Sequence, residues 1–416
     1  MHILDTLGCI VSGHAAQVST RLTDLILDLG GKKEATILTK NKKTTSPYAA
    51  LVNGSVGHHH ELDDGTRLGC HPGVITIPAA LAVAESTRAS GKEFMMSTLL
   101  GYDVMIRIGA SLFPNPSHRG FHSPALVGSF GAAVACCKLL HMKADKIANA
   151  LGICSSLGPI APFESFTSGS TVKDLYGGWP SYVGVFASLL AMSGITGPQT
   201  MFEGEQGFSE VVGGIRDREM LLGRLGRRYG LDLAYVKRHA SCGLTHAPIN
   251  AALEIVKKSG IGASDIEKIT VKSHSLAAKC DEMFPDSEIA AKVSIPYTVA
   301  AAIIQGYVGQ DVFSQEVLRD RKIELLAKKV EIVLDRKLDA QLPTRMAIVE
   351  IKTRNGKTYS VKAGEPEMKL NEVIAKFRNQ TGRVFNSSIV QEIEDRVLSL
   401  ERVGNIGEIV DLLRKP

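Results

Sequence analysis

The stretch Ala125-Leu126-Val127-Gly128-Ser129-Phe130-Gly131-Ala132-Ala133-Val134-Ala135-Cys136-Cys137-Lys138-Leu139-Leu140 carries a single charge in sixteen positions. It is apolar on more than one face, which marks a helix buried among other helices rather than an amphipathic one lying on a surface. Its small residues let helix backbones approach closely. Working outward, Leu81 to Ala89, Met95 to Ala110 and Ser181 to Ser193 share this character. The first 250 or so residues therefore read as almost wholly helical, with little strand alternation.

The pattern changes near Gly262. Ile266-Glu267-Lys268-Ile269-Thr270-Val271-Lys272 alternates as a half-exposed strand does, and Val330 to Leu334 and Met346 to Lys352 read the same way. Asn355-Gly356 between two such runs signals a hairpin with a type I′ turn. An apolar helix, Ser294 to Gly306, interrupts them. From Met368 the chain reads as helical again, over Leu370 to Arg378 and Ser387 to Leu400. The expected fold is mostly α: a large all-helical domain, residues 1–261 with 382–416, and a smaller α+β lid domain, residues 262–381.

Composition narrows the function classes. With 44% hydrophobic and 22% charged residues the chain is an ordinary globular protein. A net charge of +5 over 416 residues is too small for a nucleic-acid footprint, though it suits an anionic small molecule. No stretch has the roughly 18 uninterrupted apolar residues of a membrane helix. Met1-His2-Ile3-Leu4-Asp5 has no basic region ahead of its apolar residues, so it reads as a helix start and not a signal peptide. Seven cysteines without a CxxC pair fit free thiols in a reducing compartment. A cytoplasmic protein without nucleic-acid or membrane partners is expected.

The densest polar cluster runs from Asn53 to Gly73 and contains His58-His59-His60-Glu61-Leu62-Asp63-Asp64-Gly65-Thr66 and His71. It reads as a solvated loop, a metal site or an acid/base cluster. Three adjacent histidines on a helix point about 100° apart and cannot all face one ion, so no metal is expected. His, Glu and Asp are the usual proton carriers. Arg119-Gly120-Phe121-His122 precedes the Ala-rich helix, and His122 reads equally as a helix-capping or a catalytic residue. Lys173 stands alone in apolar, Gly-rich sequence. It is either a plain exposed lysine or a partner for a substrate carboxylate. Lys237-Arg238-His239 to His246 holds two cations and two histidines, for which a structural role is the default. The phosphate-cradling pattern GxxxxGK[ST] and the GxSxG nucleophile elbow do not occur, and no GxGxxG follows a strand.

Taken together and in order, these segments resemble the MmgE/PrpD family. Carriers of the resemblance are Leu4 to Cys9, the Asn53 to Gly73 block, Gly120-Phe121-His122, Gly128 to Gly131 and Val172-Lys173-Asp174-Leu175. Further along they are Gly194 to Pro198 with Phe202-Glu203-Gly204, His239 to His246, and Ser294-Ile295-Pro296-Tyr297. Each is weak alone; the ordered set is specific. The resemblance implies a cleft between helical domain and lid, a homodimer, and neither metal nor organic cofactor. It implies catalytic roles for Glu61, His71, His122, Lys173, His246 and Tyr297. The family's active-site threonine falls on Gly65, or on Thr66 after a one-residue shift. Glu61 stands where the family pattern has Asp.

The chemistry implied starts or ends with a carbanion beside a carboxylate. It needs a placed base and a cationic clamp. Lys173 and Arg119 are expected to hold substrate carboxylates, with Asp64, Gly65, Thr66 and Lys237 as further substrate contacts. His122 or His71 would carry the proton, Glu61 would orient a histidine or act as a second acid/base group, His246 would form the far wall, and Tyr297 would reach in from the lid. The expected activity is that of a lyase on a small di- or tricarboxylate, a dehydratase before a decarboxylase. The alternatives are an epimerase of a dicarboxylate and a catalytically silent carboxylate-binding relative.

Overall fold

A computed structural model describes residues 1–414. Among these residues the chain is mostly helical, with eight short strands in three small sheets. The first core is built from Ser46–His58, Pro72–Thr87, Gly91–Leu112, Ser123–Leu139 and Leu175–Ser193. The reason is visible in the side chains: every residue from Pro72 to Ala84 is buried, so this helix has no solvent face. Glycines and alanines permit that density. Gly101 and Gly131 sit where two of these helices cross, and a Cβ on Gly101 would lie 2.6 Å from the Gly131 carbonyl. Among the described residues no helix is long and apolar enough to cross a membrane.

A second core underlies the four-stranded sheet. Its strands are β5 (Ile266–Ser273), β6 (Val330–Leu334), β7 (Ala347–Thr353) and β8 (Thr358–Ala363), in the order β6-β5-β7-β8; the earlier pairs are β1 (Ala35–Ile37) with β2 (Lys42–Thr44) and β3 (Gly65–Thr66) with β4 (Ala234–Tyr235). Strand β5 runs parallel to β6 and antiparallel to β7. The two exposed residues Glu267 and Lys268 fall at a register shift, so Ile266 and Ile269 both face the core.

Two expectations are corrected. The hairpin after β7 exists, but only Gly356 has positive φ (+82°), and Gly356 N–H bonds to Thr353 O at 2.9 Å. This is a three-residue loop with the glycine in the left-handed position, not a type I′ turn. Helicity in the first 250 residues is interrupted: from Gly194 to Thr245 the chain holds only short helices and the two-residue strand β4, because Gly, Pro and Arg break the apolar period. Two helices beside the expected division at 261/262 and 381/382 pack across it. Helix His246–Ser259 buries Ile249, Ala252 and Ile255 in the second core, whereas Phe377 of helix Leu370–Thr381 lies in the first. An amphipathic helix looks the same in sequence whichever core receives its apolar face.

Candidate active site

Helix Ser46–His58 ends just as the histidine run begins. The three rings then diverge. His58 Nδ1 meets Asp63 Oδ1 at 3.0 Å, His59 Nδ1 meets Asp174 Oδ2 at 3.1 Å, and His60 Nε2 meets the Ser12 carbonyl at 3.2 Å. The turn that follows places Glu61 at φ +52°, a left-handed conformation that costs a non-glycine residue about 1–2 kcal/mol. This turn aims the Glu61 carboxylate inward, where it is 1% exposed.

Glu61 is the hub of a buried ionic cluster. Its Oε2 accepts from Lys237 Nζ at 2.8 Å, its Oε1 is in direct contact with Lys173 Nζ, and His58 Nε2 lies 3.4 Å from Oε1. Lys173 also sits over the Phe166 ring. Burial and the neighbouring Lys237 ammonium pull the Lys173 pKa well below the usual lysine range, and the Asp174 carboxylate works against that shift.

Asp63, fully buried, joins this cluster to the cleft. Its Oδ1 takes His58 and its Oδ2 takes His71 Nδ1 at 2.8 Å. Burial would raise the Asp63 pKa, but His58, His71 and Lys237 outweigh it and hold the carboxyl well below its ordinary range. With Nδ1–H committed to Asp63, His71 presents its Nε2 lone pair elsewhere. Burial lowers the pKa of both His71 and His122, so each imidazole is neutral. Their rings stack with centroids 6.3 Å apart, and the buried Nδ1 of His122 has no partner among the described residues.

Both histidines cap helix N-termini, His71 before Pro72–Thr87 and His122 before Ser123–Leu139. The positive ends of two helix dipoles therefore meet beside them, which disfavours imidazolium and favours an anion. Here a cleft opens between the two cores, with about 690 Å³ of space counted out to its mouth. His71, His122, Gly65, Thr66, Ser117 and Ser123 line the helical side; Gly243, Leu276, Lys279 and Arg345 line the other. A Cβ on Gly65 would stand 3.5 Å from the Cys70 carbonyl and the Tyr235 hydroxyl, so a side chain would fit there.

The structure thus brings Glu61, His71, His122, Lys173 and Lys237 into one neighbourhood and puts Gly65 and Thr66 on the cleft wall. Lys173 and Lys237 face Glu61 rather than the cleft. The other candidates are engaged elsewhere. Asp64 is fully buried, bonding Tyr102 at 2.8 Å, His2 at 2.7 Å and the Gly73 N–H at 2.8 Å. Exposed Arg119 donates to the Val211 carbonyl. His246 contacts Glu365 at 2.5 Å and the Ser241 carbonyl at 3.2 Å. Tyr297 gives its hydroxyl to the Val312 carbonyl at 2.7 Å, inside the second core. Each of these polar groups is satisfied by a neighbour that spacing could not foresee.

Sequence reading missed Asp63, His58 and Arg345. Asp63 sits in the same run as Asp64, and only the turn at Glu61 decides which carboxylate faces the histidines. Among the described residues two trios come close enough to hold a metal ion: His58, Asp63 and His71, and separately His59, His60 and Glu288. In the first, both Nδ1 atoms are already hydrogen-bonded to Asp63.

A mostly helical body and a smaller α+β unit, with two imidazoles at the wall of the cleft between them, define a mostly α two-domain fold. The chain belongs to the MmgE/PrpD family: residues 1–220 match the MmgE/PrpD N-terminal domain and residues 239–402 the MmgE/PrpD C-terminal domain. Its relatives include a cis-aconitate decarboxylase of Aspergillus terreus, 26% identical over all of this chain and 90% of that protein. A cis-aconitate decarboxylase-like protein of Aspergillus oryzae is 25% identical over 99% of this chain and 91% of its own length. The cis-aconitate decarboxylase of Homo sapiens is 24% identical over the whole chain and 89% of that protein.

Proposed function

We propose that this protein is a lyase that moves a proton on a small di- or tricarboxylic acid. The observation that carries the reading is the Asp63–His71 pair with neutral His122 beside it, at the wall of the interdomain cleft. His71, oriented by Asp63, takes the proton α to a carboxylate through Nε2. In a dehydration the imidazolium formed on His71 supplies the proton for the leaving hydroxyl, directly or by relay through His122, so both imidazoles end neutral; in a decarboxylation no α-proton is removed, and the carbanion left after loss of CO2 is protonated from a proton the pair has taken up from water beforehand. The helix N-termini under both histidines stabilise the enediolate charge that develops in either case. Glu61, Lys173 and Lys237 form the charged floor that holds this arrangement.

Dehydration is the first reading. If the family threonine falls on Gly65 rather than on Thr66, a space without a hydroxyl stands at that point of the cleft wall, which favours a substrate different from that of the named decarboxylases. Decarboxylation is the second, supported by the names of the relatives. An epimerase would use the same two imidazoles on opposite faces of one carbon. The test is proton NMR in deuterated buffer with citrate, 2-methylcitrate, cis-aconitate, malate, tartrate and iminodisuccinate. A new alkene with release of water supports dehydration, and loss of a carboxyl group supports decarboxylation. Deuterium at the α-carbon without change of skeleton identifies an epimerase. No change with any acid defeats the proton-transfer reading of His71 and His122. A homodimer is part of the same proposal.

A further inference from the structure

The cations around the cleft differ in how far their charge is already spent. Lys173 and Lys237 share Glu61; Lys292 holds Glu288 at 2.8 Å and the His59 carbonyl at 2.6 Å; Arg119 is turned to Val211. Arg345 is the exception. It is half-buried just before β7, on the lid side of the cleft. Among the described residues its guanidinium has no hydrogen-bond or ion-pair partner, and its Nε is fully buried and unsatisfied. Glu365, a carboxylate whose field it feels, is closely paired with His246 at 2.5 Å. A buried charged donor without an acceptor is costly, so such a group is kept where an acceptor arrives from outside.

The backbone opposite is shaped to receive it. A Cβ on Gly243 would lie 2.8 Å from Arg345 Nη1 and 2.6 Å from the Tyr235 hydroxyl. Only glycine lets the guanidinium lie this close to that wall. Exposed Lys279 stands at the mouth of the same cleft and adds a second positive charge.

We propose that Arg345 binds a substrate carboxylate remote from the reacting carbon, so that the acid spans from the lid to His71 and His122. This rests on the proton-transfer reading of the cleft and adds to it the requirement for at least two carboxylates. One lies at the histidine end, where the α-proton is removed; the other takes the planar fork of Arg345 through two parallel N–H···O bonds. A monocarboxylate fills only the first position.

Ligand-observed NMR titration tests this with propane-1,2,3-tricarboxylate, glutarate and butyrate on the whole protein. Wild type is expected to bind the first two more tightly than butyrate. Arg345→Met should weaken the di- and tricarboxylates by roughly 10- to 100-fold, the range of a lost charge-assisted hydrogen bond, and leave butyrate unchanged. Arg345→Lys should recover part of the loss. Gly243→Ala, which displaces the guanidinium without removing it, should weaken the same two ligands, and thermal melts identify any variant that fails to fold. If wild type binds the tricarboxylate and Arg345→Met binds it equally well, the Arg345 assignment falls while the cleft stays a carboxylate site. If wild type binds none of the three acids, the polycarboxylate reading falls and takes this one with it.

Discussion

At the residue scale the site is a set of partnerships. Asp63 acts through His71, so Asp63→Asn should leave the imidazole in place but free to take the wrong tautomer. Turnover is expected to drop by about 10²-fold or more with KM little changed, read from NMR progress curves. The acidic limb of the pH–rate profile should lie below pH 6.5, the ordinary histidine value, because burial first and Lys237 second lower the His71 pKa and keep its base form present. Glu61→Gln leaves Lys173 and Lys237 buried without their carboxylate. It should cost about 3–5 kcal/mol in denaturant unfolding, a fold defect before a kinetic one. Tyr297→Phe separates the sequence expectation from the geometry. With its hydroxyl on Val312, its loss should cost about 1 kcal/mol of stability and leave kcat untouched; a large fall in kcat would restore it to the site.

At the element scale the most informative piece is helix Leu370–Thr381, expected in the lid and found strapped across the helical domain. Its Lys376 reaches three segments at once: Asp5 Oδ1 at 2.6 Å, the Leu62 carbonyl at 2.7 Å and the Lys237 carbonyl at 3.0 Å. It thereby ties the first helix to the Glu61 turn and to the Lys237 segment. Asp5 is fully buried, and burial raises its pKa against the pull of Lys376. Lys376→Met should therefore lower stability and activity together, seen as a lower Tm and a reduced kcat in the same preparation, although Lys376 does not line the cleft. The β-hairpin shows the opposite case. Asn355-Gly356 announced it correctly, and only the loop geometry differed, because turn residues act locally while loop length depends on the pairing of β7 with β8.

At the scale of the whole molecule, several histidines are buried in neutral form. Burial pulls His58 and His239 down to about 3 and His274 down to about 4, against 6.5 in the free side chain. Above pH 6.5 neither folded nor unfolded chain protonates them, and their contribution to stability is complete. Below it the unfolded chain takes up protons that the folded chain refuses, so stability falls as pH drops from about 6.5 toward 3. Thermal melts across that range should show a steady decline in Tm; a flat profile would mean these imidazoles are not neutral in the fold. The aromatic row Trp179, Tyr182 and Phe186, stacked along helix Leu175–Ser193 with Trp179 and Phe186 exposed and Tyr182 half-buried, is the face on which the proposed dimer would bury apolar surface. Light scattering should give twice the chain mass, and Trp179→Glu should give one.

What the sequence determined by itself was the class of structure and the stock of chemical groups. Apolar residues on every face of Ser123–Leu139 can only mean a helix among helices, and period-two alternation from Ile269 can only mean a strand, because both follow from the local geometry of the chain. It also marked the Asn53 to Gly73 block, where Glu61 and His71 lie. Only the tertiary structure decided which member of each run faces the cleft. His71 at the cleft wall, backed by buried Asp63 and His58 rather than by Asp64 and His60, and Arg345 in place of Arg119, were chosen by a left-handed turn at Glu61, by where helix Ser46–His58 stops, and by which core receives each helix. Those choices depend on packing between segments far apart in the chain. A side chain's partners there are set by distances that sequence spacing does not contain.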